Sequence, residues 1–218
     1  MKKYKAVIMD FDLTIADTAG LIEECLYTHA ASYGYDLDRK ILREGIGRPA
    51  GDIYFDAGVY WELASRMDDS YVEYSADIMC RRTGFFPGVA EGLEALHSRG
   101  VRTAVLSLKA TPQIWAPLER CGLDGYVDAV LGKDDVSRGK PDPEGILLLS
   151  ERFGVAPEDI LYVGDSYTDQ QAAEAAGVDF GAVCTGTVTA ENFAKNKTAC
   201  IYSDFGMLCC DLCRALDE

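Results

Sequence analysis

Apolar and polar residues are grouped in blocks whose period changes along the chain. Tyr4–Met9 is an apolar run of strand length that stops abruptly at Asp10-Phe11-Asp12. From Ala19 to about Arg82 the apolar positions recur at helical spacing instead, as with Leu21, Ile22, Cys25, Leu26 and His29, and no stretch reads as a strand. Asp38, Asp52 and Asp68 are of the type that caps helix N-termini, and the pattern predicts that they do so here. Phe86-Pro87-Gly88 breaks the helical pattern, and strand and helix signals then alternate. Helices are predicted at Val89–Ser98, Thr111–Arg120, Pro143–Phe153 and Asp169–Ala176, and further ones from Ala190 and Phe205. Gly100, Gly122, Gly154 and Gly177 stop the first four. Strands are predicted at Arg102–Leu106, Tyr126–Leu131, Ile160–Val163, Asp179–Cys184 and Ala199–Tyr202. Repeated strand–helix units with unbroken apolar strands predict an α/β fold, a Rossmann-like parallel sheet with helices on both faces. The expected division is a core of residues 1–16 and 85–218, interrupted by an all-α insertion over 17–84.

In such a sheet ligands bind beyond the carboxyl ends of the strands. The first strand runs out into Asp10-Phe11-Asp12-Leu13-Thr14, and that at 102–106 into Ser107-Leu108-Lys109. The strand at 160–163 runs into Gly164-Asp165 and on to Asp169, while Gly139-Lys140-Pro141-Asp142-Pro143 enters a helix. One edge thus collects Asp10, Asp12, Asp165 and Asp169 with Ser107 and at least one lysine. Asp10 and Asp12 stand two residues apart, so an ideal strand would turn both to one face, where they repel unless a cation sits between them. Hard oxygen donors without His or Cys suit Mg²⁺. A carboxylate can also be a nucleophile that forms an aspartyl-phosphate, with its neighbour as acid and then base. Lys140 would neutralise the transferring phosphoryl group and Ser107 would hydrogen-bond it.

Composition narrows the function. Among 218 residues, 36 acidic side chains against 21 basic leave a net charge of −15, which repels a phosphate backbone and excludes a general nucleic-acid binder. The same charge would repel a small phosphate ester unless a local cation offsets it. No apolar stretch reaches the ~18 residues of a membrane span, and the run after Met1-Lys2-Lys3 is cut short by Asp10 and Asp12 before it resembles a signal. A cytoplasmic chain with eight reduced cysteines is the expectation, and Cys210 and Cys213 are read as helix-face packing. Gly45–Gly51 lacks the spacing of a dinucleotide loop, but Arg48 within it is a candidate contact for a substrate anion. His29 and His97 read as packing or surface residues, and Tyr54, Phe55, Tyr60, Trp61, Tyr71 and Tyr74 as core of the insertion.

Asp10-Phe11-Asp12-Leu13-Thr14, Val105-Leu106-Ser107, Gly139–Pro143 and Val163–Asp169 resemble, in order and spacing, the four motifs of the haloacid-dehalogenase-like hydrolases. The likeness spans nearly the whole chain. Phe86–Leu93 and Gly139–Leu147 point to the branch similar to phosphoglycolate phosphatases. The resemblance implies that the insertion is a helical cap, that Asp10 is nucleophile and metal ligand, and that Asp12 is the acid/base with its carbonyl on the metal. It further implies that Thr14 orients Asp12, that Ser107 and Lys140 hold the phosphoryl group, and that Asp165 and Asp169 complete a Mg²⁺ site. Thr14, Ser107 and Arg48 would meet a small phosphorylated metabolite. Leu13 stands where the family commonly has glycine, and Leu108 where it commonly has asparagine. The expected activity is a Mg²⁺-dependent phosphatase for a small, phosphoglycolate-like monoester. The alternatives are a sugar phosphomutase or pyrophosphatase on the same scaffold, or a non-catalytic phosphate-ligand-binding protein.

Overall fold

The computed structural model describes residues 2–218. The chain divides into two compact units, Met1–Ala16 with Phe85–Glu218, and Asp17–Gly84. The first is built on six strands: β1 (Ala6–Met9), then, past the short β2 (Ala16–Asp17) and β3 (Gly84–Phe85), β4 (Arg102–Leu106), β5 (Ala129–Leu131), β6 (Ile160–Gly164), β7 (Asp179–Val183) and β8 (Cys200–Tyr202). Their order is β5-β4-β1-β6-β7-β8, and every neighbouring pair is parallel. β1 lies between β4 and β6, with Met9 in register with Val105 and Val163. The chain therefore builds the sheet to one side of β1 through β4 and β5 and then crosses to the other side for β6, β7 and β8, the reversal of strand order that opens a crevice at the strand ends.

An apolar strand with neighbours on both edges must bury both faces. Val7 and Met9 of β1 pack with Val105, Val163, Leu93 and Phe205, whereas Ala6 and Ile8 pack with Ala104, Tyr162, Ile146 and Ala173. In the second unit α1 (Ala19–Ser32), α2 (Arg39–Glu44), α3 (Ala50–Asp56) and α4 (Trp61–Arg82) enclose a core of Leu26, Leu42, Ile53, Tyr54 and Met67. The first unit carries α5 (Val89–Ser98), α6 (Thr111–Arg120), α7 (Glu144–Phe153), α8 (Tyr167–Ala176), α9 (Ala190–Phe193) and α10 (Phe205–Asp217).

The differences from the pattern have local causes. Asp38 caps α2 by accepting from the Lys40 N–H, but Asp52 lies inside α3, whose N-cap is Pro49. Asp68 lies inside α4 and accepts from the Gly51 N–H at 2.9 Å, stitching α3 to α4; a Cβ on Gly51 would come within 3.1 Å of the Ala64 carbonyl. β5 is shorter than Tyr126–Leu131 because Asp124–Tyr126 form a 3₁₀ turn and the Asp128 carboxylate takes the Thr103 N–H. β2 and β3 form a separate two-stranded sheet, too short to leave a periodic signal. No helix among the described residues is long and apolar enough to cross a membrane.

Candidate active site

The β1 ladder carries one residue past the strand, since Asp10 N–H donates to the Val163 carbonyl at 2.9 Å. The chain then turns tightly: the N–H groups of Ile15 and Ala16 both donate to the Phe11 carbonyl. Leu13 sits in this turn at φ +60°, alone among the described non-glycine residues in having positive φ. A left-handed side-chain-bearing residue costs roughly 1–2 kcal/mol, which explains why glycine is common at this position in the family. The turn persists here because Leu13 N–H donates to the Ala16 carbonyl at 2.9 Å and its own carbonyl accepts the Thr185 hydroxyl.

Beyond the strand ends, Asp10, Asp165 and Asp169 converge, each with a carboxylate oxygen within 4.8 Å of the others. Lys140, its side chain only 4% exposed, places its ammonium 2.8 Å from Asp10 Oδ1 and 2.6 Å from Asp169 Oδ1. The contact to Asp169 is a hydrogen bond; that to Asp10 is an ion pair without good hydrogen-bond alignment. Asp169 stands in the first turn of α8, where Ser166 caps the N-terminus, and its Oδ2 accepts from the Ser166 N–H and hydroxyl. Its Oδ1 also accepts from the Tyr162 hydroxyl at 3.2 Å. Two glycines permit these approaches. A Cβ on Gly164 would lie 2.4 Å from the Asp169 side chain, and one on Gly186 would lie 1.9 Å from Asp165 Oδ2.

Three buried carboxylates around one ammonium leave excess negative charge. Burial raises Asp10 to about 7, with Lys140 opposing and Asp169 reinforcing the shift. Burial, then Asp169 and Asp10, push Asp165 well above the usual carboxylate range. Burial alone would lower Lys140, but Asp10 and Asp169 outweigh it and hold it well above the ordinary lysine value. The all-oxygen donor set of Asp10, Asp165 and Asp169 and its unbalanced charge fit a divalent metal ion.

The other candidate residues divide. Ser107 is buried at the end of β4, and its Oγ accepts the Lys109 N–H at 3.3 Å, which leaves the hydroxyl proton free to donate. Asp12 lies past the end of β1, in the turn, and its Oδ2 pairs with Lys109 at 3.1 Å. Asp12 has no side-chain oxygen in the three-carboxylate cluster. Thr14 is a correction to the expectation: it is fully buried, and its hydroxyl donates to Asp165 Oδ1 at 2.9 Å. Its hydroxyl proton is therefore given to Asp165 and not to Asp12. Arg48 belongs to the second unit, where its guanidinium pairs with Asp56 at 2.6 Å. Leu108 lies over Gly139, where a Cβ would come within 2.7 Å of its Cδ2.

Sequence reasoning did not assign roles to Lys109, Tyr162, Ser166 or Gly186. Lys109 stood on the right edge with no signal of its partner, and Tyr162 is one more apolar-looking residue of β6. Ser166 three residues before Asp169 is the one legible signal among them, the spacing of a capping box. Away from the site, none of the eight cysteines forms a disulfide; Cys213 packs into the core, while Cys210 is exposed. His29 is buried, as the packing reading has it.

Comparison with known proteins agrees with this architecture. The family described as haloacid dehalogenase-like hydrolase matches residues 7–183. A phosphoglycolate phosphatase of Salmonella paratyphi A is 35% identical over 171 residues, covering 78% of this chain and 67% of that protein. Among solved structures, a haloacid dehalogenase-like hydrolase from Bacteroides fragilis superposes with a TM-score of 0.86 at 31% identity, covering 94% of this chain and 100% of the other. A hydrolase of the same superfamily from Geobacter sulfurreducens gives 0.71 at 26% identity, with 96% of each chain covered. The strand order, the four polar loops and these likenesses agree that the chain belongs to the haloacid dehalogenase-like hydrolases.

Proposed function

We propose that this hydrolase is a Mg²⁺-dependent phosphatase that cleaves a small phosphate monoester through an aspartyl-phosphate on Asp10. The observation that carries the reading is the buried Asp10 carboxylate held against the Lys140 ammonium, with Asp165 and Asp169 beside it. The Salmonella relative's name makes phosphoglycolate the first substrate to test. Eight cysteines with no disulfide among them suit a reducing, cytoplasmic setting.

An Asp10 oxygen attacks phosphorus while the bond to the leaving oxygen breaks, and Asp12 donates a proton to that oxygen. Asp12, now ionised, takes a proton from water as the water oxygen attacks phosphorus and the Asp10–phosphorus bond breaks. Lys140 neutralises Asp10 and the charge that gathers on the phosphoryl oxygens, one of which the Ser107 hydroxyl binds. Bound between Asp10, Asp165 and Asp169, Mg²⁺ would supply the positive charge that lets a phosphate approach this acidic edge. Residues 17–84 serve as the cap that selects the leaving group, and an anion bound by Arg48 must compete with Asp56.

The test is Mg²⁺-dependent phosphate release from phosphoglycolate, sugar phosphates, nucleotides and pyrophosphate. Asp10→Asn is expected to lower turnover by at least about a thousandfold while the far-ultraviolet circular dichroism stays unchanged. Full turnover by that variant would remove Asp10 as nucleophile.

A further inference from the structure

Asp12 needs a fixed orientation to move a proton in both half-reactions, and the residue expected to supply it does not. The Thr14 hydroxyl is spent on Asp165. Among the described residues the side-chain partner of Asp12 is Lys109, whose ammonium is 3.1 Å from Asp12 Oδ2 and whose side chain is only 10% exposed. Asp12 Oδ1 is buried and makes no hydrogen bond. The two oxygens are thus unlike: Oδ2 is ion-paired with Lys109, and Oδ1 has no hydrogen-bond partner.

The anchor rests on a rigid frame. Lys109 N–H donates to Ser107 Oγ, and its carbonyl accepts from the Lys133 N–H at 3.0 Å. Two residues on, Thr111 N–H donates to Asp134 at 2.8 Å, and Thr111 Oγ1 accepts from Gly132 N–H at 2.9 Å. The loop after β4 is clamped so closely to the loop after β5 that a Cβ on Gly132 would fall 2.6 Å from the Lys109 carbonyl.

We infer that Lys109 is the positioning residue for the acid/base carboxylate: it holds Asp12 by Oδ2 so that Oδ1 is the oxygen that gives and takes the proton. This rests on the phosphatase reading above. Lys109 touches neither phosphorus nor the leaving oxygen in this scheme; it acts through Asp12. Its removal therefore costs most where the leaving group must be protonated and little where it need not be.

That asymmetry gives the experiment. kcat/KM is measured with Mg²⁺ for an alkyl phosphate, whose alkoxide cannot depart without a proton, and for p-nitrophenyl phosphate, whose phenolate can. Lys109→Met is expected to lower kcat/KM for the alkyl ester by about ten- to a hundredfold, a part of the range that general acid catalysis supplies. The aryl ester is expected to change by less than about threefold, and Lys109→Arg to restore most of the alkyl activity. Lys109→Gln, which keeps a donor without the charge, provides the same comparison if Lys109→Met does not fold. Equal losses on both esters, or no loss on either, would overturn the assignment while leaving the phosphatase reading intact. Failure of the wild-type protein to hydrolyse either ester would overturn the phosphatase reading itself, and this inference with it.

Discussion

Two buried polar clusters in this protein obey opposite rules. In the helical unit His29, 3% exposed, puts Nδ1 2.9 Å from the Tyr54 hydroxyl and Nε2 3.1 Å from Ser70 Oγ. Rings of Tyr33, Tyr54, Tyr71 and Tyr74 surround it at 5.2–5.7 Å, and burial lowers its pKa, which favours the neutral imidazole. That cluster is satisfied from within and needs nothing from solution. The cluster at the strand ends instead gathers three carboxylates with one ammonium, which contacts two of them. Hydrophobic packing does not explain it, since buried unbalanced charge is costly and persists where a ligand or a reaction makes use of it. A buried polar group is thus weak evidence of function, whereas a buried group left electrostatically incomplete is strong evidence.

The contrast is broken most severely at Lys140. Lys140→Met would leave Asp10 and Asp169 facing each other without their shared cation, and the metal-free protein is expected to lose about 3–5 kcal/mol of stability. Urea denaturation with and without Mg²⁺ reads both that loss and its partial recovery by the ion, and phosphate release is expected to fall at least about a hundredfold. Gly186→Ala acts on one carboxylate of the proposed metal site. Its Cβ would force Asp165 Oδ2 to move, so Mg²⁺ affinity by titration calorimetry is expected to drop about ten- to a hundredfold with the fold retained.

The smallest effect separates the clusters by the sign of their pH dependence in metal-free protein. Asp10 titrates near 7 when folded and near 4 when unfolded, so the folded state binds the extra proton and this contribution weakens as pH rises from about 4 to about 7. His29 is lowered when folded, so the unfolded state binds the extra proton. Its contribution is complete above about 6.5 and is lost as pH falls from there through the lowered folded value. Denaturation curves from pH 5 to 8 are expected to show that Asp10→Asn removes a negative slope and His29→Gln a positive one. Slopes of the same sign would refute the contrast.

Much of this was readable along the chain because its causes are local. α5, β4 and α6 begin and end where apolar period, Pro112 and the glycines place them. Asp10, Ser107, Lys140 and Asp165 fall on one edge because each follows a strand or enters a helix at the same end of the sheet. Leu13 stands where the resembling family commonly has glycine, and its φ of +60° is the conformation that glycine favours.

The sequence by itself determined the strand–helix rhythm, the helical insertion and the set of carboxylates, because period, terminators and residue type act within a few neighbours. Only the tertiary structure decided which atom meets which. Thr14 and Asp165 are 151 residues apart and Lys140 and Asp169 are 29 apart, yet both pairs are in hydrogen-bond contact. Strand order and loop packing bring them together, and a shift of an ångström or two would exchange partners. For that reason Thr14 serves Asp165, Lys109 holds Asp12, and Gly186 makes room for a carboxylate, none of which spacing along the chain can express.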